Sequence, residues 1–244
     1  MKNITLYGYG RSIVDGAWKV NKSKIVNRLY YVNSGNAVIT TENAEHRLYS
    51  GKIYIIPQSK TFKPLHAESF DHTYFDFFSS MLMVHNQLIE FDASLLSSNA
   101  FFEYINRLLM NDKEHVSIEN MELLLSAFLE LIKSVVPIQY INNSIVTSAI
   151  DIIHGNYSDI SSKQLAKYLN INESYFIRTF TETMGISPMK YIRAVRVAYA
   201  KELILNGDSI TAAAEKCGYS SPTALYNATR SELDLSPSEL KFKY

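Results

Sequence analysis

The spacing of hydrophobic and polar positions changes near residue 80. Before it, short runs of branched and aromatic residues alternate with turn-forming residues, which is typical of β-strands. Ser34-Gly35-Asn36 predicts a hairpin turn between the first two strands, and Ser50-Gly51 predicts one between the next two. Short strands at close intervals favour a small barrel or a sandwich. The predicted strands are 25–32, 37–41, 46–49, 52–56, 62–65 and 72–78.

Beyond residue 80 the apolar positions recur at helical spacing and predict helices at 100–110 and 118–135. The second helix carries a wide apolar stripe. The stripe either packs against the strands or forms the interface between two copies of the chain, and a stripe this wide can do both. Its residues are Met121, Leu124, Leu125, Phe128, Leu131, Ile132 and Val135.

A proline and an Asn-Asn pair at 137–143 predict a linker, and a helix is expected at 144–155. Ser161 and Gln164 then form a capping box, which marks another helix start. A turn at 170–172 separates that helix from a second one at about 173–184, whose Phe176 and Phe180 repeat at helical spacing. A capped helix, a tight turn and a second capped helix form the pattern of a helix-turn-helix.

The pattern occurs twice. Ser187-Pro188, which predicts the start of a long helix, is followed by Ser236-Pro237 at an offset of 49 residues. Phe176 matches Leu225 at the same offset, and Ala166 matches Ala214 at 48 because of one extra residue in a turn. A duplication within about a hundred residues is far more specific than a single helix-turn-helix pattern.

Charge and composition narrow the class. The 244 residues carry no net charge, which does not favour nucleic-acid binding, and residues 144–244 hold 11 basic against 10 acidic residues. The stretch 178–201 nevertheless holds five basic residues against the single acid Glu182, and a local patch can suffice for phosphate contacts. One cysteine, Cys217, excludes an internal disulfide. Without a signal-like segment or an uncharged run able to span a membrane, the economical expectation is a cytoplasmic protein.

Histidines are the main candidates for metal chemistry. His66, Glu68 and His72 lie close together in the sequence and His46 lies upstream, but no His-x-His pair is present. The ordinary interpretation, surface or pocket histidines, is favoured, and no metal or cofactor is expected. No Gly-rich phosphate loop, nucleophile elbow or zinc spacing occurs. Cys217 is expected to be a small buried residue.

The carboxy-terminal hundred residues resemble the AraC/XylS family of bacterial transcription regulators. The resemblance implies an α+β protein of two domains. Residues 1–136 would form a cupin-like domain, a small β-barrel (strands to about 80) with a helical hairpin (about 86–136). Residues 144–244 would form an all-α domain of seven helices with two helix-turn-helix motifs. The matching positions are Leu165-Ala166, Tyr175-Phe176, Arg178, Phe180, Gly185, Ser187-Pro188, Tyr191-Ile192, Arg196, Ala200, Leu203, Ile210, Ala214, Gly218-Tyr219, Leu225 and Ser236-Pro237, with a looser match at residues 29–39 and 55–59.

The resemblance also implies which residues contact DNA. Arg178 is the expected base reader, since its guanidinium can contact guanine O6 and N7 together. The second unit departs from the family pattern: Asn227 replaces an arginine, Thr229 a core phenylalanine and Asp234 a glycine. We therefore expect the first unit to dominate sequence recognition. The DNA-binding residues implied are Ser174, Ile177, Arg178, Thr181, Lys190, Arg193, Pro222, Thr223, Tyr226 and Asn227.

The expected function is sequence-specific transcription regulation without enzymatic activity. The partners are double-stranded DNA, a small polar effector such as a sugar in the barrel, a second copy bound through residues 118–135, and RNA polymerase; no membrane is involved. Two alternatives stay open: a metal-dependent cupin enzyme, and a regulator controlled by a protein partner, whose barrel would be filled by its own side chains. The candidate effector residues are Trp18, Arg28, Tyr31, His46 and His66.

Overall fold

The computed structural model describes residues 4–17, 26–40, 44–57, 63–79, 88–110, 116–136 and 143–243. The described residues divide into two compact units, one within residues 4–136 and one at residues 143–243. The first unit is an antiparallel sheet with helices, and the second is all-helical, so the predicted α+β fold of two domains is confirmed. No helix in the described ranges is both long and apolar enough to cross a membrane.

The sheet of the first unit contains six described strands. They are β1 (Ile4–Gly16), β2 (Asn27–Thr40), β3 (Glu45–Tyr49), β4 (Lys52–Ile56), β5 (Lys63–Ser79) and β6 (Ile89–Asp92). The order is β1-β5-β2-β4-β6, with β3 also paired to β2. Among the described strands, β1 and β6 at the two ends of this order do not pair with each other. The described strands therefore form one open sheet, where the sequence predicts a small barrel. β6 lies where the sequence predicts helix.

Both predicted hairpin turns are wrong. Residues 34–36 lie inside the continuous strand β2, where the pairing with β5 shifts register. Gly35 has φ +74°, and a Cβ there would lie 2.1 Å from the carbonyl oxygen of Ser69. Glycine is therefore needed for close backbone approach within a bulge.

Ser50-Gly51 forms a turn, but it does not join two strands that pair with each other. β3 pairs with one end of β2 and β4 with the other, and both run antiparallel to it. The Gly51 N–H donates to the Val32 carbonyl at 2.9 Å, which continues the ladder between the two segments. β3 and β4 thus follow one edge of β2 instead of pairing with each other.

Two helices cover one face of the sheet. They are α1 (Ser98–Met110) and α2 (Ile118–Ile132). Phe102 and Phe128 pack with Leu29 and Phe75 in a common core. The Glu122 carboxylate, buried on α2, accepts from the Leu6 N–H at 2.9 Å and ties the helix to β1. The opposite face of the sheet carries a second cluster that includes Tyr30, Tyr54 and Phe70.

The apolar stripe of α2 divides between the core and the surface. Met121, Leu125, Phe128 and Ile132 are buried against the sheet and α1. Leu131 and Val135, by contrast, are 64% and 46% exposed. The packing interpretation therefore holds for one side of the stripe, and the other side stays accessible within this unit.

The second unit contains the seven helices expected among its described residues. They are α3 (Ser144–Gly155), α4 (Ser162–Tyr168), α5 (Glu173–Met184), α6 (Pro188–Leu205), α7 (Ile210–Lys216), α8 (Pro222–Leu233) and α9 (Pro237–Lys243). Side-chain caps fix the starts of α3 to α8: the residues Asn143, Ser161, Asn172, Ser187, Ser209 and Ser221 each accept from a backbone N–H in the first turn.

Candidate nucleic-acid interface

Two helix-turn-helix units, α4–α5 and α7–α8, form the candidate interface. α5 begins at Glu173 and α8 at Pro222, 49 positions later, and both helices have 12 residues. Each ends on a residue in the left-handed conformation, Gly185 at φ 69° and Asp234 at φ 60°. The repeat predicted from the sequence is therefore a structural repeat, and Asp234 adopts the conformation that glycine has in the first unit.

The first recognition helix, α5, buries Phe176 and Phe180 and exposes the opposite face. Ser174, Ile177 and Arg178 lie on that face, and Thr181 is half-buried at its end. The Arg178 guanidinium carbon lies 5.7 Å from the centroid of the Tyr175 ring. This cation–π contact restrains a long side chain while leaving its N–H groups available to a partner.

The two basic candidates on α6 differ. Lys190 is exposed in the first turn. Arg193, although 43% exposed, is held by α8: its Nε and Nη2 lie 2.8 and 2.7 Å from Glu232 Oε1, and the Glu232 side chain is only 5% exposed. The first partner of Arg193 is therefore a buried carboxylate, and its contact with DNA stays a prediction.

The rest of the basic stretch is partly or fully buried. Arg196 donates to the carbonyl oxygens of Tyr157, Ser158 and Ile160 at 2.7 to 3.3 Å. Lys201 is buried. The positive patch inferred from residues 178–201 is consequently smaller on the surface than the sequence count indicates.

The second recognition helix, α8, exposes all four of its predicted DNA-facing residues: Pro222, Thr223, Tyr226 and Asn227. Thr229 occupies the core position with no exposure, and its hydroxyl donates to the Tyr226 carbonyl at 3.0 Å. Its hydroxyl group thus has a local hydrogen-bond partner, which a buried polar group needs.

Sequence reasoning missed three basic residues on these units. Lys163 and Lys167 are exposed on α4, four positions apart, in the helix that precedes the first recognition helix. Their spacing in a capped helix could have revealed them, because the first helix of such a motif crosses the phosphate backbone. Arg230 lies on α8, where its Nη1 donates to the Asp234 carbonyl at 3.1 Å and its Nη2 lies 3.5 Å from Glu239.

Buried titratable groups in this unit serve packing. His154 Nε2 lies 3.0 Å from the Tyr191 hydroxyl, and burial lowers the pKa of this histidine to about 4. Burial also raises the pKa of the Cys217 thiol to about 12, so the cysteine stays a protonated, buried residue as expected.

The candidate effector residues that the structure describes do not come together. Trp18 lies outside the described residues. Tyr31 packs toward the helices, with its ring 4.7 Å from that of Phe102, and His66 is largely exposed. Arg28 lies near the start of β2, beside Asp76 of β5, whereas His46 lies on β3, beside Ile39 near the other end of β2. Successive side chains of a strand point to opposite faces of the sheet. Residues whose types suit a pocket therefore need not lie in the same pocket.

Arg28 is nevertheless an unusual residue. Its guanidinium and the Asp76 carboxylate are both almost fully buried, with Nε and Oδ1 3.5 Å apart. The neighbouring ring of His72 stacks on Phe70 at 4.4 Å, and burial lowers the pKa of His72 to about 4. Among the described residues, no three His, Cys, Asp or Glu side chains are placed to hold a metal ion.

Comparison with known proteins matches part of the helical unit. Residues 165–242 match a family model described as a helix-turn-helix domain. The lactose operon transcription activator of Staphylococcus xylosus is 26% identical over 104 residues, which are 42% of this chain and 37% of that protein. The chain therefore matches well under half of that relative's length.

Solved structures of ToxT from Vibrio cholerae share the fold over nearly the whole chain. The form bound to (E)-4-(8-methylnaphthalen-1-yl)but-3-enoic acid has a TM-score of 0.63 at 14% identity, with 98% of each chain covered. The form bound to an unsaturated fatty acid has a TM-score of 0.60 at 13% identity, covering 98% of this chain and 94% of that one. The family model therefore identifies residues 165–242 as a helix-turn-helix domain, and the ToxT structures show that the chain as a whole shares their fold.

Proposed function

We propose that this chain is a sequence-specific DNA-binding transcription regulator. The observation that carries the proposal is the structural repeat of two helix-turn-helix units within residues 162–233, each with an exposed recognition-helix face. Paired recognition helices suit successive major-groove segments of one duplex. The proposal assigns no catalytic step to the chain, and a protein that acts on the bacterial chromosome works in the cytoplasm.

Arg178 is the principal base-reading residue in this proposal. It is exposed on α5 and restrained by Tyr175, and its fork matches guanine O6 and N7. Lys190, together with Lys163 and Lys167 on α4, supplies phosphate contacts that position the helix without reading sequence.

A binding experiment tests this assignment. Arg178→Ala is expected to weaken binding to a selected duplex by roughly 5- to 150-fold, the range for one good bidentate base contact, and to relax the preference for guanine. Asn227→Ala is expected to lose less. Arg107→Ala, which removes an exposed arginine from α1 in the other unit, is the charge-matched control and should bind like the parent. Equal losses for Arg178→Ala and Asn227→Ala would contradict dominance of the first unit.

The first unit is proposed to sense a small effector on the sheet face opposite α1 and α2. The buried Arg28–Asp76 pair offers the donors and acceptors that a polar ligand such as a sugar needs. One observation favours the alternative of control by a protein partner: Tyr30, Tyr54 and Phe70, which lie on that same face, are almost completely buried and fill the space with the chain's own side chains. Ligand-dependent shifts in melting temperature across a panel of sugars and carboxylic acids would separate the two.

The dimer is proposed to form through the exposed side of α2. Leu123, Leu131 and Val135 are 65%, 64% and 46% exposed and lie on one side of the helix and its end. Leu131→Asp is expected to shift sedimentation from dimer to monomer, whereas Lys133→Asp, a change at an exposed neighbour, should not. Since the similar Staphylococcus xylosus protein is described as an activator, we include RNA polymerase among the proposed partners.

A further inference from the structure

The second recognition helix differs from the first in the chemistry of its exposed face. At the position that matches Arg178, α8 carries Asn227. The one arginine of α8, Arg230, is turned toward the end of its own helix, because it donates to the Asp234 carbonyl at 3.1 Å and lies 3.5 Å from the Glu239 carboxylate. Arg230, the residue of α8 best suited to bind guanine, therefore contacts groups of the protein itself.

The same face carries an apolar notch of about 260 Å³. It lies where the first turns of α7, α8 and α9 meet, and we call it the α8 notch. Its residues are Ile210, Pro222, Thr223, Tyr226, Pro237 and Ser238. Thr223 and Tyr226 belong both to the notch and to the exposed face of α8, so the notch is continuous with the proposed DNA-binding surface.

Tyr226 is held in place as one wall of the notch. The Arg230 Nε lies 3.4 Å from its hydroxyl, and the guanidinium carbon lies 5.9 Å from the ring centroid. The ring is 44% exposed, so it presents a fixed apolar surface at low entropic cost to whatever enters. Arg230 thus acts as a positioning residue for Tyr226.

We propose that the second recognition helix reads A·T base pairs, with Asn227 bonding to adenine and the α8 notch receiving the 5-methyl group of thymine. The proposal rests on the proposed DNA-binding function and specifies the base chemistry of its second half-site. An asparagine amide matches adenine N6 and N7 together, and an apolar wall distinguishes thymine from cytosine by its methyl group. The two units of one chain would therefore read unlike sequences: guanine through Arg178 and A·T pairs through α8.

Base analogues test this directly on the full-length protein. A duplex selected from a random pool is remade with each thymine replaced in turn by deoxyuridine, which removes only the methyl group. One position in the second half-site is expected to lose about three- to fourfold in affinity, the effect of withdrawing one methyl from apolar contact. Replacing an adenine there by purine, which lacks the N6 amino group, removes one of the two bonds to Asn227 and should cost about fivefold, the lower end of the range for a base contact.

Variants of the protein show which residue causes each loss of affinity. Tyr226→Ala should abolish the deoxyuridine penalty, whereas Tyr226→Phe, which keeps the ring, should retain it. Asn227→Ala should abolish the purine penalty, and Arg178→Ala should leave both unchanged. A guanine preference in the second half-site, or an unchanged affinity for every deoxyuridine duplex, would overturn the proposal. If the random pool yields no preferred sequence at all, the proposed function itself fails, which is a separate result.

Discussion

The contact between Arg193 and Glu232 gives the sharpest prediction about how the second recognition helix is held. It joins α6 to α8 over 39 positions of sequence. The Nε and Nη2 atoms of Arg193 both lie within 2.8 Å of Glu232 Oε1. Arg193→Ala would leave the carboxylate of Glu232 unpaired in a site where it is 5% exposed.

The size of the expected loss in stability follows from how far each side chain of the pair is buried. Removing one partner of a fully buried pair costs ~3–5 kcal/mol. Because the Arg193 side chain is 43% exposed, solvent screens part of the interaction, and we expect a loss of about 1–3 kcal/mol in the free energy of unfolding. The double variant Arg193→Met with Glu232→Leu should recover most of that loss, since it leaves no buried charge.

The assay is urea unfolding of the full-length protein, with hydrogen exchange followed in peptides from α6 and α8. DNA affinity measured at several salt concentrations separates two roles for Arg193, positioning of α8 and contact with a phosphate. If Arg193 positions α8, the double variant restores binding and the salt slope is unchanged. If it contacts phosphate, binding stays weak and the slope falls by about one. An Arg193→Ala protein whose unfolding free energy stays within about 0.5 kcal/mol of the parent would refute the reasoning.

Three further predictions follow from single residues. Gly218→Ala should destabilise the helical unit by more than about 1 kcal/mol, seen as a lower melting temperature, because Gly218 has φ +73° and a Cβ would lie 1.8 Å from the Ser158 carbonyl oxygen; Gly207→Ala, where no atom lies within 4 Å, is its control, and similar losses would contradict the role of that contact. Asp234→Gly should raise stability by about 0.5–1 kcal/mol, since its φ of 60° suits glycine, and a lower melting temperature would argue against this. His72 has a folded pKa of about 4 against 6.5 for the free side chain, so the unfolded chain binds more protons between these values and the contribution of His72 to stability should fall by up to about 1.4 kcal/mol per pH unit as pH drops from 6.5 to 4. Because the pKa of His154 is lowered in the same way, His72→Phe should reduce the slope without abolishing it, and a parallel slope would exclude His72 as one of its sources.

Local chemistry explains why the helical unit is predictable from sequence. Each of its helix starts is set by a capping side chain or a proline within a few residues, so α3 begins and ends where the sequence places it. Phe176 and Phe180 identify the buried face of α5 by spacing alone, and the exposed face then follows.

Pairing across the sheet is less predictable, because the partner of a strand is distant in sequence. Gly35 resembles a hairpin residue, yet its constraint comes from Ser69 on another strand. The same limit applies to the interface. The positions of Arg193 and Arg196 on α6 are predictable, but their partners lie 36 to 39 residues away and decide how much of their charge reaches the surface.

The central claim is that one chain reads two neighbouring segments of a duplex with its two helix-turn-helix units. Selection of bound duplexes from a random DNA pool by the full-length protein tests it most directly. The expected result is two short preferred elements, one containing guanine, with centres about 10–10.5 base pairs apart. Uniform retention of all sequences, or a single preferred element that is unaffected by Arg178→Ala, would contradict the account.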